Sequence, residues 1–553
     1  MDGRVNTVLE TDVLVVGAGP VGLALAGDLG WRRRSCIVIE RGDGSILQPK
    51  MDLVGVRTME FCRRWGLVAD VENAPYDRDY PQDNVYVTSL AGHELGRQPM
   101  PSMREERPPP ESPQKRERCP QNMFDPILRR FAEGWPTNRL LYRNELTSFE
   151  QADDHVLARV ALQPDGQQLL VRARFLVGSD GAASTVREQL GIGMEGRGVL
   201  TFTTNVIFRC RQFNALHDKR PGYRYMFVGP GGVWAMIVAI NGRDQWRMSI
   251  IGDARARKTY TTEELRAIAC KLLGRDFEPE ILSVLPWVRA ELVAQRYQEG
   301  RVFLCGDACH RTSPTGGLGM NTGIGDAVDL SWKLDALLSG WGGPALADSY
   351  GLERRPVALR ITRFSTGNLE IMKSVRSGDE IYQDTPQGQA TRDRVGKQLG
   401  EGLRREWFSL NMHLGYRYLR SPVVVYDEAE DLERLEEESQ DAVNYFPSSR
   451  PGARAPHSWL QDGRSTLDLF GRGFVLLYFN GASSRLEQLL DAAARRAVPL
   501  EVFRLEESIA DLYAKRYVLV RPDGHVAWRG DDLPDDADQL LATVTGNSRG
   551  NSE

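Results

Sequence analysis

Two glycine-rich segments far apart in the chain constrain its fold more than any other feature of its sequence. The first reads Asp12-Val-Leu-Val-Val-Gly17-Ala-Gly19-Pro20-Val-Gly22, and the second runs from Cys305-Gly306-Asp307-Ala-Cys-His310 through Pro314 to Gly317-Leu318-Gly319-Met320-Asn321. Around the first, the β-branched run Val13 to Val16 predicts a buried strand and Val21 to Leu29 predicts a helix, so the glycines fall at a strand-to-helix turn. Gly17 permits the tight turn, Gly19 lets the backbone approach a pyrophosphate, and Gly22 lets helix and strand pack closely. The pyrophosphate would sit at the helix N-terminus, where free N–H groups and the macrodipole favour negative charge. A second apolar strand, Cys36 to Ile39, ends in Glu40, 23 residues beyond Gly17. A carboxylate at that spacing suits an unphosphorylated ribose, as in FAD or NAD. Spelling alone is weak, because Gly191-Ile-Gly193-Met-Glu-Gly196 matches the same pattern. That stretch follows the charged Val186-Arg-Glu-Gln-Leu190 and reads as a loop.

Length and composition narrow the alternatives. A chain of 553 residues suggests about three domains on the usual scale of ~100 to 200 residues each. With 41% hydrophobic and 26% charged residues it has the composition of an ordinary soluble protein. A net charge of −5 gives no electrostatic reason to expect nucleic acid or an anionic membrane surface. No apolar run approaches the ~18 residues of a membrane span and the start shows no signal-peptide core, so a cytoplasmic protein is expected. The seven cysteines (36, 62, 119, 210, 270, 305 and 309) are scattered and form no CxxC. They argue against a disulfide framework, a metal site and the redox pair of a flavin disulfide reductase.

A third segment lies between the other two. Phe175-Leu-Val-Gly-Ser-Asp180-Gly181 is a strand running into a turn, and Ser184-Thr-Val-Arg187 opens a helix. Ser184 is placed to cap that helix and Asp180 to anchor the turn. In order and spacing, Gly17/Gly19/Gly22 with Glu40, Asp180-Gly181 with Arg187, and Gly306-Asp307 through Asn321 are similar to the three motifs of the single-component FAD-dependent aromatic hydroxylases. These form the p-hydroxybenzoate hydroxylase and phenol hydroxylase superfamily. Arg57-Thr-Met-Glu60, Cys119-Pro-Gln121, Trp332-Lys-Leu334 and Glu353-Arg-Arg-Pro356 extend the resemblance over most of residues 10 to 360.

The resemblance implies that Glu40 holds the adenosine ribose, with Pro20 in the pyrophosphate turn, and that Arg41, Arg57 and Gln121 lie along the pyrophosphate and ribityl chain. It implies that Asp180 serves both FAD and NAD(P)H and that Asp307 accepts hydrogen bonds from the ribityl hydroxyls. Pro314 and the N–H groups of Gly317, Leu318, Gly319, Met320 and Asn321 would border the isoalloxazine, where a helix start suits the negative charge of the reduced ring. One departure stands out: Gln48-Pro49-Lys50-Met51 occupies the place of a Pro-Arg-Ala segment, and lysine offers no bidentate fork. No second fingerprint has a strand before it and a helix after it, so NADH or NADPH would dock transiently on the FAD domain.

The expected fold is α/β, in part α+β. A Rossmann-like FAD-binding domain in two parts (1–200 and 290–395) encloses an inserted antiparallel-sheet substrate domain (201–289). A charged connector (396–445) then leads to a thioredoxin-like domain without CxxC (446–553). Alternation in Thr203–Phe208, Tyr223–Val228, Val233–Val238 and Gln245–Ile250 predicts the inserted sheet as the floor of a pocket beneath the flavin; its faces offer Tyr223, Tyr225, Trp234 and Trp246, each of which reads as core sooner than as a ligand contact. The unusual insert from Tyr80 to Glu117 is a further place for specificity. The acidic run Asp427–Glu438 reads as a solvated face. In the tail, a strand at Phe474–Tyr478, a helix at Ser484–Ala497 and a hairpin of Tyr517–Val520 with Val526–Arg529 resemble the thioredoxin-like domain of the phenol hydroxylase and polyketide hydroxylase branch. Lacking cysteines, that domain would serve in packing or homodimerisation.

The resemblance implies a monooxygenase in which NAD(P)H reduces the flavin and O2 adds to give a C4a-hydroperoxide. Its terminal oxygen would attack an electron-rich aromatic substrate. Deprotonating a phenol calls for a base near neutral pKa, but His310 reads as locally bonded and His217 as a surface-loop residue, so no catalytic residue is assigned. Epoxidation or Baeyer-Villiger insertion on a polyketide-like substrate stays open, as does a flavin-binding role without turnover. The Trp-x-Trp-x-Ile-Pro stretch of a flavin halogenase is absent.

Overall fold

The computed structural model describes residues 8–46, 48–164, 166–427, 432–438, 440–481 and 484–547. The β-branched run that opens the chain becomes the central strand of the first sheet, Val8–Val16, with Gln168–Gly178 on one side and Cys36–Glu40 on the other, both parallel to it. Val302–Leu304 and Asn138–Tyr142 extend the parallel ladder outward. Val13, Leu14, Val15 and Val38 are fully buried, as expected for strands covered on both faces. Helices Pro20–Trp31, Gln121–Glu133 and Gly319–Ser339 share that core.

The second sheet runs in the order His310–Arg311, Glu280–Ala294, Met194–Arg209, Gln245–Ile251, Gly232–Ala239, Arg224–Gly229, Asn84–Val87 and Glu94–Gln98. All neighbours are antiparallel except Arg224–Gly229 with Asn84–Val87. The sheet therefore draws three of its strands from outside residues 201–289, and the Tyr80–Glu117 insert supplies two of them. A four-residue strand such as Asn84–Val87 carries little periodicity of its own, and its pairing lies about 140 residues away, at Arg224. On the Gln245–Ile251 strand, Trp246, Met248 and Ile250 pack against Leu265, Ala269 and Leu272 of helix Thr262–Leu273. That helix is fixed at its ends by a Thr261/Glu264 capping box and by Gly274 in the left-handed region. Arg247 and Ser249 alternate with those apolar residues and so face the other way.

Residues 386–407, the start of which precedes the expected charged connector, form one helix, Pro386–Trp407, that runs into it. Its face of Val395, Leu399 and Leu403 is buried against Tyr86, Met226 and Val228, so this part of the connector is core rather than solvated spacer. Helix Leu432–Glu438 lies in the acidic run, of which residues 428–431 lie outside the described residues. Among the described residues no helix is long and apolar enough to cross a membrane.

The C-terminal sheet runs Leu500–Arg504, Phe474–Tyr478, Tyr517–Val520, Val526–Gly530, the first pair parallel and the others antiparallel. Gly524 turns the hairpin at a φ of +86°. This unit does not stand apart: Phe474, Leu519 and Leu541 share one core with Trp332, Trp341 and Leu346 of the FAD domain. Beside that core, the fully buried Arg521 reaches Glu353 at 2.9 Å, Asp329 at 3.0 Å and Asp523 at 2.7 Å. Lys333 joins Asp329 at 2.8 Å and Glu353 at 2.6 Å. Burial opposes a charge on Glu353, yet Arg521 and Lys333 hold its carboxyl at about 2. Arg521→Met strands buried carboxylates and is expected to cost about 3–5 kcal/mol. Scanning calorimetry of purified protein should show the melting temperature falling by several degrees, and an unchanged melt would mean the cluster carries no stability.

Candidate active site

A cleft of about 670 Å³ opens at the C-terminal ends of the parallel strands. Its floor requires glycine twice. Gly17 sits at a φ of +103°, where a Cβ would lie 2.6 Å from the Ser179 carbonyl oxygen, and a Cβ on Gly22 would lie 2.0 Å from the oxygen of Gly17. Gly19 faces open space and caps helix Pro20–Trp31 with no side chain, which leaves a helix N-terminus ready for an anion. Glu40 accepts from the N–H of Ala18 at 2.9 Å and of Gly42 at 2.7 Å, which aims its carboxylate along the cleft wall. Asp180 accepts from Val186 N at 3.1 Å, while its other oxygen is buried without a partner. Burial raises its pKa.

Gln121 accepts from Lys50 N at 3.0 Å and donates to Asp125 at 3.0 Å. Burial pushes the Asp125 carboxyl up to about 7, against the pull of Gln121 and Lys50, and its second oxygen also lacks a partner. The close glycine approach, the uncapped helix start and these buried acceptors fit the hydroxyl-rich, anionic body of a dinucleotide. Asp125 was not singled out in the sequence; its spacing of four from Gln121, one helical turn, is the signal that marks it.

Lys50 lines both the cleft and a smaller chamber of about 80 Å³, of which Pro314, Thr315, Gly316 and Gly317 form one wall. Gly316 and Gly317 hold φ angles of +98° and +64°. The Asn321 side chain clamps this loop, accepting from Gly55 N and Thr58 Oγ1 at 2.7 Å and donating to the oxygens of Leu53 at 3.1 Å and Gly317 at 2.7 Å. Leu318 is buried in a separate core with Val357 and Ile361, and helix Gly319–Ser339 begins there without a side-chain cap.

Of the residues expected at the cofactor, Gly17, Gly19, Glu40, Arg41, Gln121 and Asp180 line the cleft, and Pro314 and Gly317 line the chamber. Pro20 and Gly22 lie in the first turn of the helix behind the glycines. Met320 is half-buried against the FAD-domain core, and Asp307 is exposed in the Gly306–Ala308 turn and lines neither space. Arg57 is not brought to the cleft. It pairs with Glu60 at 2.7 Å and donates to the Asp523 carbonyl at 2.8 Å, because the helix that carries it is buried under the C-terminal domain.

Comparison with known proteins then settles the family. The FAD binding domain family matches residues 10–365, and the aromatic-ring hydroxylase C-terminal family matches residues 448–548. The chain belongs to the FAD-dependent aromatic-ring hydroxylases. An FAD-dependent monooxygenase, apdD, of Emericella nidulans is 32% identical over 97% of this chain and 90% of that protein. A 2,4-dichlorophenol 6-monooxygenase of Cupriavidus pinatubonensis is 30% identical over 96% and 94%. The rebeccamycin biosynthetic enzyme RebC, solved with reduced flavin, superposes with a TM-score of 0.90 at 39% identity, covering 98% of this chain and 100% of that one. This hydroxylase is accordingly an FAD-dependent monooxygenase.

The rest of the hydroxylase chamber is polar in a way the sequence did not announce. The Tyr223 hydroxyl donates to Asp52, and Arg118 donates to Asp52 at 3.1 Å and to the Tyr223 oxygen at 3.0 Å while its guanidinium lies 3.7 Å over the tyrosine ring. Burial raises the Tyr223 pKa well above the phenol range. Burial also opposes a charge on Asp52, but Arg118 and Arg247 hold it below the usual carboxylate range. Arg224 forks onto Glu406 at 3.0 and 2.8 Å, and Glu406 also accepts from Gly316 N at 3.0 Å, which ties the sheet to the Pro314–Gly317 loop.

Neither histidine considered from sequence lines this chamber. His310 is buried against Asp326 at 2.8 Å, as its motif suggested. The nearby Cys309 brings this group to three ligand-type side chains, but both Asp326 oxygens are already taken, by His310 and by Arg354 at 2.7 Å. His217 lies in the loop before strand Arg224–Gly229, as expected, but its ring is half-buried there, with Phe213 and Tyr225 at 5.6 and 5.4 Å.

Two outcomes test the cleft. Gly22→Ala is expected to purify with less than about a tenth of the FAD of the wild type, since its Cβ has no room; full flavin content by absorbance would contradict this. In the apoprotein, folding lifts Asp125 from 3.8 to about 7, so folding takes up a proton and stability falls as pH rises through that window. Asp125→Asn removes the loss. Its apoprotein should melt a few degrees above wild type at pH 8 and converge with it towards pH 4, whereas an equal difference at both pH values would refute the assignment.

Proposed function

We propose that this hydroxylase uses NAD(P)H and O2 to hydroxylate a phenolic ring held in the chamber, and that Tyr223 with Asp52 takes up the phenolic proton. One observation carries the proposal: the tyrosine hydroxyl is hydrogen-bonded to a half-buried, ionised carboxylate in the chamber that the Pro314–Gly317 loop helps to line. Bound FAD would supply the oxygen-activating redox chemistry, with Glu40, Arg41, Gln121 and Asp180 along its dinucleotide and the Gly317–Asn321 backbone at its ring.

The protein's own part is proton placement. The Tyr223 oxygen gives its proton towards Asp52 and accepts from Arg118, which leaves it one acceptor position for a substrate hydroxyl. As that hydroxyl hands its proton to Tyr223, the tyrosine passes its own to Asp52; since Asp52 is itself a weak base, the transfer depends on the nearby guanidinium groups stabilising the phenolate that gives the ring its electron density. Arg118 and Arg247 stabilise the negative charge wherever it rests in this relay. A relative named for 2,4-dichlorophenol supports a hydroxylated ring as substrate. The seven free thiols suit a reducing cytoplasm. The core shared with the FAD domain supports packing as the role of the C-terminal unit.

Turnover tests the whole reading: phenolic compounds should stimulate NAD(P)H oxidation, and product should carry one atom from labelled O2. An FAD-loaded protein that responds to no compound of a broad phenolic panel would sink it. Tyr223→Phe should lower hydroxylation about 100-fold or more at pH 7, with FAD content and flavin reduction unchanged. Activity should recover above pH ~10, where a phenol ionises unaided. Full activity of Tyr223→Phe at pH 7 would eliminate the relay.

A further inference from the structure

The hydroxylase chamber holds more positive charge than its own acids neutralise. Arg118, Arg224, Arg247 and Arg289 line it, against the carboxylates of Asp52 and Glu406. Two of the four are committed, Arg118 to Asp52 and Arg224 to Glu406. Arg247 lies 3.7 Å from Asp52, beyond hydrogen-bond reach. Arg289 faces no carboxylate within salt-bridge distance among the described residues. Its Nε donates to Thr203 Oγ1 at 3.1 Å, but Nη1 is buried without a partner in a residue only 2% exposed.

Two further donors share this state. The indole N–H groups of Trp287 and Trp407, which line the same chamber, are also buried without an acceptor among the described residues. Burial, and then the neighbouring Arg247, pull the Arg289 pKa down to about 10, so it stays charged at neutral pH. A buried guanidinium without a counter-charge is costly, and a planar anion that accepts two hydrogen bonds matches its fork.

We propose that the aromatic substrate carries a carboxylate, received in the chamber by Arg289 together with Arg247. The proposal rests on the hydroxylase reading for the word substrate, but binding of the acid does not depend on turnover. A ring held by its acid at Arg289 and by its hydroxyl at Tyr223 is fixed at two points, which sets the carbon presented for attack. The anionic reduced flavin is the competing counter-charge, and its claim on Arg289 makes a different forecast.

The test titrates FAD-loaded enzyme with 4-hydroxybenzoate and 6-hydroxy-2-naphthoate, each beside its carboxamide, following the flavin absorbance. Each acid should bind at least about 10-fold tighter than its amide. Arg289→Met should lose about 10- to 100-fold on the acids with little change on the amides, and Arg289→Lys should fall between. Arg247→Met gives the same comparison if Arg289→Met fails to retain FAD. Amides that bind as well as acids, acids that do not bind, or an equal loss on both would overturn the proposal. So would a ligand-free Arg289→Met enzyme with a shifted flavin potential and unchanged acid preference, which would give the guanidinium to the cofactor. Acids that bind with the expected preference but never stimulate NAD(P)H oxidation would count against the hydroxylase reading alone.

Discussion

The cofactor cleft depends on how closely one backbone turn passes another. Strands Val8–Val16 and Gln168–Gly178 run parallel and in register to their last residues, so the turns that leave them meet at Gly17 and Ser179. The Ser179 hydroxyl donates at 3.0 Å to the carbonyls of both Val16 and Gly17, which locks the two turns together. With Cys36–Glu40 on the other side of the same central strand, the carboxylates of Glu40 and Asp180 arrive at one edge. This is the general behaviour of doubly wound sheets, whose ligands sit beyond the carboxyl ends of the strands where the order reverses.

The second sheet solves a different problem, which is how to bury both faces when one of them is apolar only in part, at Tyr86, Met226 and Val228. Its Trp246, Met248 and Ile250 belong to a hydrophobic core. The opposite face carries Thr203, Asn205, Arg224, Arg247, Ser249 and Arg289 to the chamber. Such a face is held in part by partners brought from elsewhere: Glu406, from a helix, forks onto Arg224, and Asp52, from the segment after the first glycine turn, lies 3.7 Å from Arg247. The chamber is thus assembled from distant parts of the chain, and its polarity is a property of none of them alone.

Local features were legible in the sequence for that reason, and non-local ones were not. The turn at Gly17, the Ser184 cap and the hairpin at Gly524 each depend on residues a few positions apart, and each is where its spelling put it, while Glu40, 23 residues beyond Gly17, lines the same cleft. Arg57 carries a family spelling too, yet its main-chain partner at Asp523 is 466 residues away, and no motif specifies which neighbour captures a guanidinium. Glu406 sits in Arg404-Arg-Glu-Trp407, a stretch whose charge pattern reads as solvated, and only its pairing with Arg224 across 182 residues makes it part of the site. The pairing of Asn84–Val87 with the second sheet was hidden by the same separation.

Glu60 shows what such distant pairings mean for the history and the engineering of the chain. It accepts from Arg57, from Ser112 and, 394 residues on, from Arg454 of the C-terminal unit. The helix that carries it also carries Thr58, which holds the Asn321 clamp. Two halves that look like separable modules therefore share acids and bases across their seam and can change only in step. A C-terminal unit exchanged between relatives would have to bring matching partners for Glu60, Asp329 and Glu353, or be accompanied by their replacement. The seam is an inheritance unit in its own right, and through Thr58 and Asn321 it reaches the Pro314–Gly317 loop.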